Sequence, residues 1–461
     1  MKKQLVSSVM KDYRKEVAQH PGSILREKIK DEEVEALWRQ YRPKFRKRLF
    51  TPLVTMWTFI AQVLNSDRTL AGAVNRTMAS MTMSGKKGGS HDATGYCKAR
   101  YRIPIEFLIS LVKMVQERLE QAVTKPYLWH DRHVKLVDGS SVSMPDSPAN
   151  RRAYPQPPTQ KKGCGFPVAR IVGVFSLSTG AVVDLAIGAL KDAELTLWRL
   201  LWKSLHPGDI GLCDRLYGRY ADICCLQAAG IDVVTRVDGT RKIDFRRGKR
   251  LGPNDHLVTW KKPHVRSTRL TAAEWEALPD QITLREVRFT LRVRGFRTRQ
   301  IVLVTTLLDH ELYPVKELAK LYGRRWEIET DFKHLKTSLE MEILGGRKPA
   351  MIVRELWTYM LAYNLVRTLM WEAGKRRHLN PLDISLMNAV HELMAIWPYV
   401  TILPQELVRV VYDLLIYLIG SHRIPYRPGR HESRTLKRRH KDFDFMTRPR
   451  ESFKAEAVIV A

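Results

Sequence analysis

The sequence of 461 residues contains no run of 18 or more apolar residues, so no segment is expected to span a bilayer. Its most apolar stretch, Val410 to Ile419, is short and interrupted by Asp413. Met1 to Ser8 carries basic residues but no apolar core follows, so no signal peptide is expected. Cysteine is scarce. The five, Cys97, Cys164, Cys213, Cys224 and Cys225, are odd in number and never spaced as zinc ligands. The expectation is reduced thiols in a cytoplasmic protein. None of the 14 histidines falls in a cluster with metal-ligand spacing, and no Ser-His-Asp arrangement is discernible. Gly85-Lys86-Lys87-Gly88-Gly89 lacks both the spacing and the preceding strand of a phosphate-binding loop. Acidic residues are also in deficit: 48 Asp and Glu stand against 78 Lys and Arg, a net charge of +30.

What is present is a globular composition, 44% hydrophobic and 27% charged, which excludes a mostly disordered or collagen-like chain. The length allows roughly three domains. So large a positive excess implies a polyanionic partner. Nucleic acid and an anionic membrane surface are the candidates, and with no membrane segment nucleic acid is the expected one.

Residues 1–125 read as helical. Ala36 to Arg48 holds six basic and no acidic residues, which is either a solvated helix face or a DNA contact. From His133 the pattern changes to short strands. His133 to Met144 alternates, and Ala169 to Leu177 and Ala181 to Ile187 form a hairpin about Ser178-Thr179-Gly180. A helix follows over Lys191 to Leu205, then a buried strand Ile210 to Cys213 ending at Asp214. A helix over Arg219 to Ala229 and a strand over Ile231 to Val237 complete the run. Three antiparallel strands followed by parallel crossover units predict an α/β mixed sheet with helices on its faces. In 238–312, Val287, Phe289, Leu291 and Val293 alternate with Arg288, Thr290, Arg292 and Arg294. This predicts an antiparallel sheet with a cationic outer face suited to a phosphate backbone, or a solvated strand with protective charges. Residues 314–375 return to helix, Pro381 to Ile419 continue so, and the tail beyond is expected to be extended or disordered when free. The tail His422 to Arg450 carries ten basic residues against three acids. The loop Pro145 to Pro167, with Arg151, Arg152, Lys161 and Lys162, is read as DNA-facing, or else as a solvated connector.

Three carboxylates could converge. Asp138 lies mid-way along the first strand, Asp214 at the carboxyl end of the fourth, and Glu329 on a helix expected over Val315 to Leu344. Each alone has a plain reading: a turn residue, a helix cap, a surface acid. The helix raises their interest. Tyr322, Arg325, Glu329 and Lys336 would share an arc of about 60° at 3.6 residues per turn. Leu321, Ile328, Phe332, Leu335 and Leu339 would form the buried seam beside it. Hard divalent ions prefer carboxylate oxygens. Two of them, about 4 Å apart, are what a phosphodiester needs for cleavage. Arg325, Lys336 and Tyr322 would then hold a neighbouring DNA phosphate.

Tyr322-x2-Arg325-x3-Glu329-x6-Lys336 resembles the YREK signature of the DDE transposases of bacterial insertion sequences, insertion-sequence family four. Leu136-Val137-Asp138-Gly139-Ser140 and Gly211-Leu212-Cys213-Asp214-Arg215 resemble the two aspartate motifs of that family. Gly95-Tyr96-Cys97-Lys98-Ala99-Arg100 resembles a stretch before the catalytic core. The resemblance covers roughly 50–375. It implies an RNase H-like core in two parts, 126–237 and 313–375, split by a β-rich insertion over 238–312. Flanking it are a helical end-binding region, 1–125, and a helical C-terminal region with a basic tail, 376–461. It further implies catalytic, metal-holding Asp138, Asp214 and Glu329 and two Mg2+ ions, with Mn2+ able to substitute. The activity implied is cleavage of double-stranded DNA at terminal inverted repeats by way of a hairpin, then joining to target DNA. The acting form would be a homodimer, near the nucleoid of a bacterial cytoplasm. An insertion-domain Trp can hold a flipped base in this family. Trp260 is the first choice and Trp275 the second, with core packing the plainer reading of both. Competing readings are an RNase H-like nuclease without strand transfer and a non-catalytic domesticated DNA-binding protein.

Overall fold

The structure is a computed structural model that describes residues 23–26, 28–41, 49–83, 85, 89–239, 241–267, 270–291, 299–400, 403–424, 446–449 and 452. Most of the basic stretch after Tyr41, most of the Ser84 to Ser90 loop, Arg292, Arg294 and most of the basic tail lie outside them. The chain divides into two compact units. One comprises 1–123, 179–182 and 333–424; the other comprises 124–178, 183–332 and 425–461.

The first unit begins with helices α1 (Asp31–Tyr41), α2 (Pro52–Leu64), α3 (Leu70–Met83), α4 (Ala93–Arg102) and α5 (Ile105–Gln121). Their ends follow local chemistry. Three acids, Asp31, Glu32 and Glu33, open α1 at the positive end of its dipole. Thr51 caps α2 through Val54 N–H, with Pro52 at the first position. Asp92 caps α4 through Thr94 N–H.

The second unit is built on a nine-stranded sheet of order β3-β2-β1-β4-β5-β9-β8-β7-β6. The strands are β1 (Val134–Ser143), β2 (Val168–Ser176), β3 (Val182–Ala189), β4 (Ile210–Cys213), β5 (Asp232–Arg236), β6 (Lys249–Gly252), β7 (Asp255–Lys261), β8 (Gln281–Leu291) and β9 (Arg299–Thr305). β1 is antiparallel to β2 and parallel to β4, which is parallel to β5. That is the RNase H-like mixed sheet, with helices α6 (Glu194–Leu201) and α7 (Tyr220–Ala228) in its crossovers. Trp198 and Leu201 of α6 and Ile223 and Leu226 of α7 share one core with Val137, Cys213 and Val233 of the strands.

The β-rich segment joins the same sheet. β9 pairs antiparallel with β5 at Val234–Thr305, Thr235–Val304 and Arg236–Leu303, and β8, β7 and β6 follow outward. Around Leu284 to Val287 both faces of β8 are buried, and Arg288, expected on a cationic outer face, is half-buried over the Phe245 ring.

The single helix expected over Val315 to Leu344 is broken twice. It runs as α8 (Val315–Arg324), turns at Arg325-Trp326, resumes as α9 (Glu327–Lys333) and widens into a π-helical turn over His334–Ser338. Tight i to i−3 bonds make the first break: Arg325 N–H to Tyr322 O, Ile328 N–H to Arg325 O and Glu329 N–H to Trp326 O. The wide turn closes with Leu339 N–H to His334 O. The chain has by then re-entered the first unit. There α10 (Pro349–Arg376) packs against α2, α5 and α12 (Gln405–Ser421), with α11 (Leu386–Val400) beside α12. Asn364 of α10 bonds both backbone groups of Val182 in the hairpin turn. The division expected at 375/376 thus falls inside one helix, and that at 312/313 inside one unit.

Candidate active site

The parallel register of β1 and β4 sets the two aspartates. Val134 pairs with Ile210 and so on to Val137 with Cys213. The next residue on each strand is Asp138 and Asp214, so the two stand side by side where β4 ends. Across the antiparallel ladder Asp138 faces Gly173. A Cβ at Gly173 would lie 3.2 Å from Phe332 and 2.8 Å from Phe175. The missing side chain lets Phe332 of α9 seat on β2, its ring 5.1 Å edge-on from Phe175. Glu329 lies three residues before Phe332, on the same helix.

Arg325 completes the group. Its side chain is 8% exposed, with Nη1 3.7 Å from Asp138 Oδ2 and Nη2 3.9 Å from Glu329 Oε1. These are loose ion pairs. Its Nε is buried without a hydrogen-bond partner, and so is the Tyr322 hydroxyl. Burial pushes the Tyr322 hydroxyl well above its ordinary range. Asp138 is pushed up to about 6, foremost by burial. The Gly139 N–H and Arg325 oppose that rise, and the charges of Glu194 and Asp214 add to it. Buried polar groups are seldom left incomplete, and a carboxyl driven upward among other carboxyls is short of positive charge.

Glu194 belongs to none of the motifs that marked the other acids. It opens α6, and its carboxylate lies 2.4–2.8 Å from where a Cβ of Gly139 would stand. The Tyr217 hydroxyl donates to its Oε1 at 2.5 Å. In sequence it is one more acid in a helix first turn, where the dipole favours any carboxylate.

Other expected site residues fall elsewhere. The arc of Tyr322, Arg325, Glu329 and Lys336 does not form, because the tight turn and the π turn break the constant 3.6-residue phase on which it depends. Tyr322 and Arg325 are buried, Glu329 is exposed, and Lys336 belongs to the other unit, 4.0 Å from Glu342 there. Leu321, Ile328 and Phe332 are buried in the second unit, Leu335 and Leu339 in the first. Trp260 is 3% exposed within the core. Its indole N–H donates to Glu286 Oε1 at 2.8 Å, and the Arg241 guanidinium covers its ring at 3.6 Å. A base could stack on Trp260 only by displacing Arg241. Trp275 is half-buried, 5.6 Å from Lys262 Nζ. Trp326, at the turn beside Arg325, is the exposed indole of the site. In the Pro145 to Pro167 loop, Ser147 caps a short helix over Pro148–Ala153, which displays Arg151 and Arg152 to solvent; Lys161 and Lys162 are exposed beyond it.

Three hard carboxylates, one raised foremost by burial, match in donor chemistry what a divalent cation requires. Among the described residues no three such groups lie close enough to form a finished cage. The Arg325 guanidinium supplies the positive charge between Asp138 and Glu329 instead.

An RNase H-like sheet with two aspartates on neighbouring strand positions and a glutamate from a later helix places the protein among enzymes of phosphodiester chemistry. The chain matches the Transposase DDE domain family over residues 129–365, more than half of its length. It belongs to the DDE transposases, within insertion-sequence family four, which are nucleases and transesterases that act on DNA with divalent metal ions. It is 25% identical over 325 residues to the transposase InsG for insertion sequence element IS4 of Escherichia coli (strain K12), covering 70% of each chain. It is also similar, with a TM-score of 0.42 and 10% identity over 88% of this chain and 86% of the other, to a cryo-EM structure of the piggyBac transposase synaptic complex with hairpin DNA. Among the described residues no helix is long and apolar enough to cross a membrane.

Proposed function

We propose that the protein binds the terminal inverted repeats of its element and cuts and rejoins DNA at Asp138, Asp214 and Glu329. The adjacent register positions of the two aspartates carry this reading, with Arg325 loosely paired to Asp138 and Glu329. The three carboxylates would hold Mg2+, or Mn2+ in its place, which activates the attacking oxygen and stabilises the leaving one. Arg325 neutralises the carboxylates before DNA arrives. With its spare Nε and the free Tyr322 hydroxyl it then takes a DNA phosphate. Lys336 is a further DNA-phosphate ligand. First-strand nicking frees a 3′-OH, the second strand is cut by way of a hairpin, and the freed end joins target DNA.

The helical segment 1–125 and the basic tail serve end binding, 126–237 and 313–375 the chemistry, and 238–312 the grip on the transposon end. The protein acts at the nucleoid of the bacterial cytoplasm as a homodimer. α12 supports the dimer: Leu407, Val410, Leu414 and Tyr417 are exposed at 3-4-3 spacing, the seam of a helix pair. Incubating wild-type protein with a labelled pre-cut end, plasmid DNA and Mg2+ tests the function. Joined product supports a transposase. Hydrolysis with no joined product would make the protein a nuclease only.

A further inference from the structure

The stretch Gly95 to Arg100 lies on α4 of the first unit, and that helix has two faces. Tyr96, Ala99 and Arg100 are buried. The Tyr96 hydroxyl donates to Gln62 Oε1 of α2 at 2.8 Å, and the Arg100 guanidinium stands over the Phe59 ring at 4.9 Å. Arg354 of α10 fixes the far end, its Nε donating to Ile103 O at 2.6 Å and its Nη1 to Ala350 O at 2.7 Å. The other face holds Thr94, Gly95, Lys98, Tyr101 and Arg102, an arc of about 120° at 3.6 residues per turn. All of these are exposed except the half-buried Tyr101. Lys348, exposed just before α10, joins that face with its Nζ 5.9 Å from the Tyr101 ring.

Two features set this face apart. Its cations are uncommitted. Arg68, Arg76, Arg118 and Arg376 of the same unit are paired with acids, whereas among the described residues Lys98, Arg102 and Lys348 form no ion pair. The Asp92 carboxylate senses the Lys98 charge, but its Oδ1 already accepts from the Thr94 N–H at 3.0 Å and hydroxyl at 2.9 Å. The second feature is Gly95, which packing does not require. Among the described residues a Cβ there would meet Phe50 at an ordinary 3.9 Å and nothing closer. Glycine inside a helix is destabilising relative to alanine or leucine, and its use is to let another backbone come close. A helix turn bare of side chain, set between unpaired cations, is complementary to a phosphate backbone.

Resting on the end binding proposed above, we infer that this face of α4, with Lys348, seats on the sugar-phosphate backbone of the transposon end. Lys98, Arg102 and Lys348 take phosphates, the Tyr101 ring backs Lys348, and Gly95 is the point of closest approach.

Binding of the full-length protein to a duplex of the terminal repeat, measured at several salt concentrations, tests this. Replacing Lys98, Arg102 and Lys348 together with Gln should weaken binding. It should also lower the slope of log affinity against log salt by about 0.9 for each phosphate released, about 2.7 in all. Gly95→Leu, which adds a helix-forming side chain at an open position, should melt no lower than wild type yet bind the duplex more weakly. An unchanged slope in the triple variant, or wild-type affinity in Gly95→Leu, would overturn the inference. So would a Gly95→Leu protein that melts well below wild type, by showing that the fold itself needs glycine there. Wild-type protein with no preference for the terminal repeat over an unrelated duplex would instead overturn end binding, the reading on which the inference rests.

Discussion

Two polar centres of the second unit are finished to different degrees. In the outer strands, Arg285 is wholly buried and forks onto Asp255 at 2.8 and 2.6 Å, and its Nη1 donates to Asp309 O and Tyr313 O. Beside it His256 bridges Arg247 O and Glu286, whose other oxygen receives the Trp260 indole. At the aspartates, by contrast, the Arg325 pairs are long, Arg325 Nε and the Tyr322 hydroxyl lack partners, and Asp138 is driven up to about 6. A fully satisfied network rigidifies a fold, while a partly satisfied one has a cost that only a ligand can offset. The first centre is architecture and the second is the proposed place of DNA and metal.

The largest effects should separate the two. Asp138→Ala, Asp214→Ala and Glu329→Ala should each lower DNA cleavage by on the order of 10³-fold or more, with end binding and melting temperature nearly unchanged. Gel cleavage assays beside mobility shifts will read both. Arg285→Ala should do the reverse. It strands Asp255 and costs about 3–5 kcal/mol of stability, visible in urea denaturation, and activity falls only as folded protein is lost. A cleavage defect in well-folded Arg285→Ala protein would erase the distinction.

Smaller effects sharpen it. Arg325→Ala should leave slowed first-strand nicking but cut second-strand cleavage by on the order of 10²-fold, so that nicked DNA accumulates on denaturing gels. Equal loss of both steps would assign Arg325 to the metal centre itself. In the first unit, burial and then the Arg367 and Lys333 charges depress His334 to about 3. Its folded value lies below its unfolded one, near 6.5. The stability it contributes is present above pH 6.5 and is lost as pH falls from there toward 3. His334→Asn should remove part of that acid sensitivity, on the order of a few kcal/mol. Equal acid sensitivity in the two proteins would show that His334 is not its source. Replacing Arg151, Arg152, Lys161 and Lys162 with Gln should lower the slope of log affinity against log salt by about 0.9 for each DNA phosphate those residues neutralise. An unchanged slope would place the loop away from DNA.

The strand half of the site was more legible in the sequence than the helix half. Asp138 and Asp214 follow from alternation, a buried strand and parallel pairing, because a ladder leaves one register that keeps the apolar residues inside. The β5–β9 pairing that merges the β-rich segment with the core sheet was not legible, since no local pattern reports which edge a strand joins. The helix carrying Arg325 and Glu329 was expected, but its breaks were not. A tight turn or a π turn arises from packing on both sides rather than from local residue preferences. Glu194 escaped for a related reason: only the fold shows that its carboxylate fills the space over Gly139.

The most direct test of the proposed chemistry is joining of a labelled pre-cut transposon end to plasmid DNA in Mg2+ by wild-type and Asp214→Ala protein, with end binding followed in the same reactions. Joined product is expected from the wild type alone, with equal binding by both. Joining by Asp214→Ala at the wild-type rate would contradict the assignment of the site.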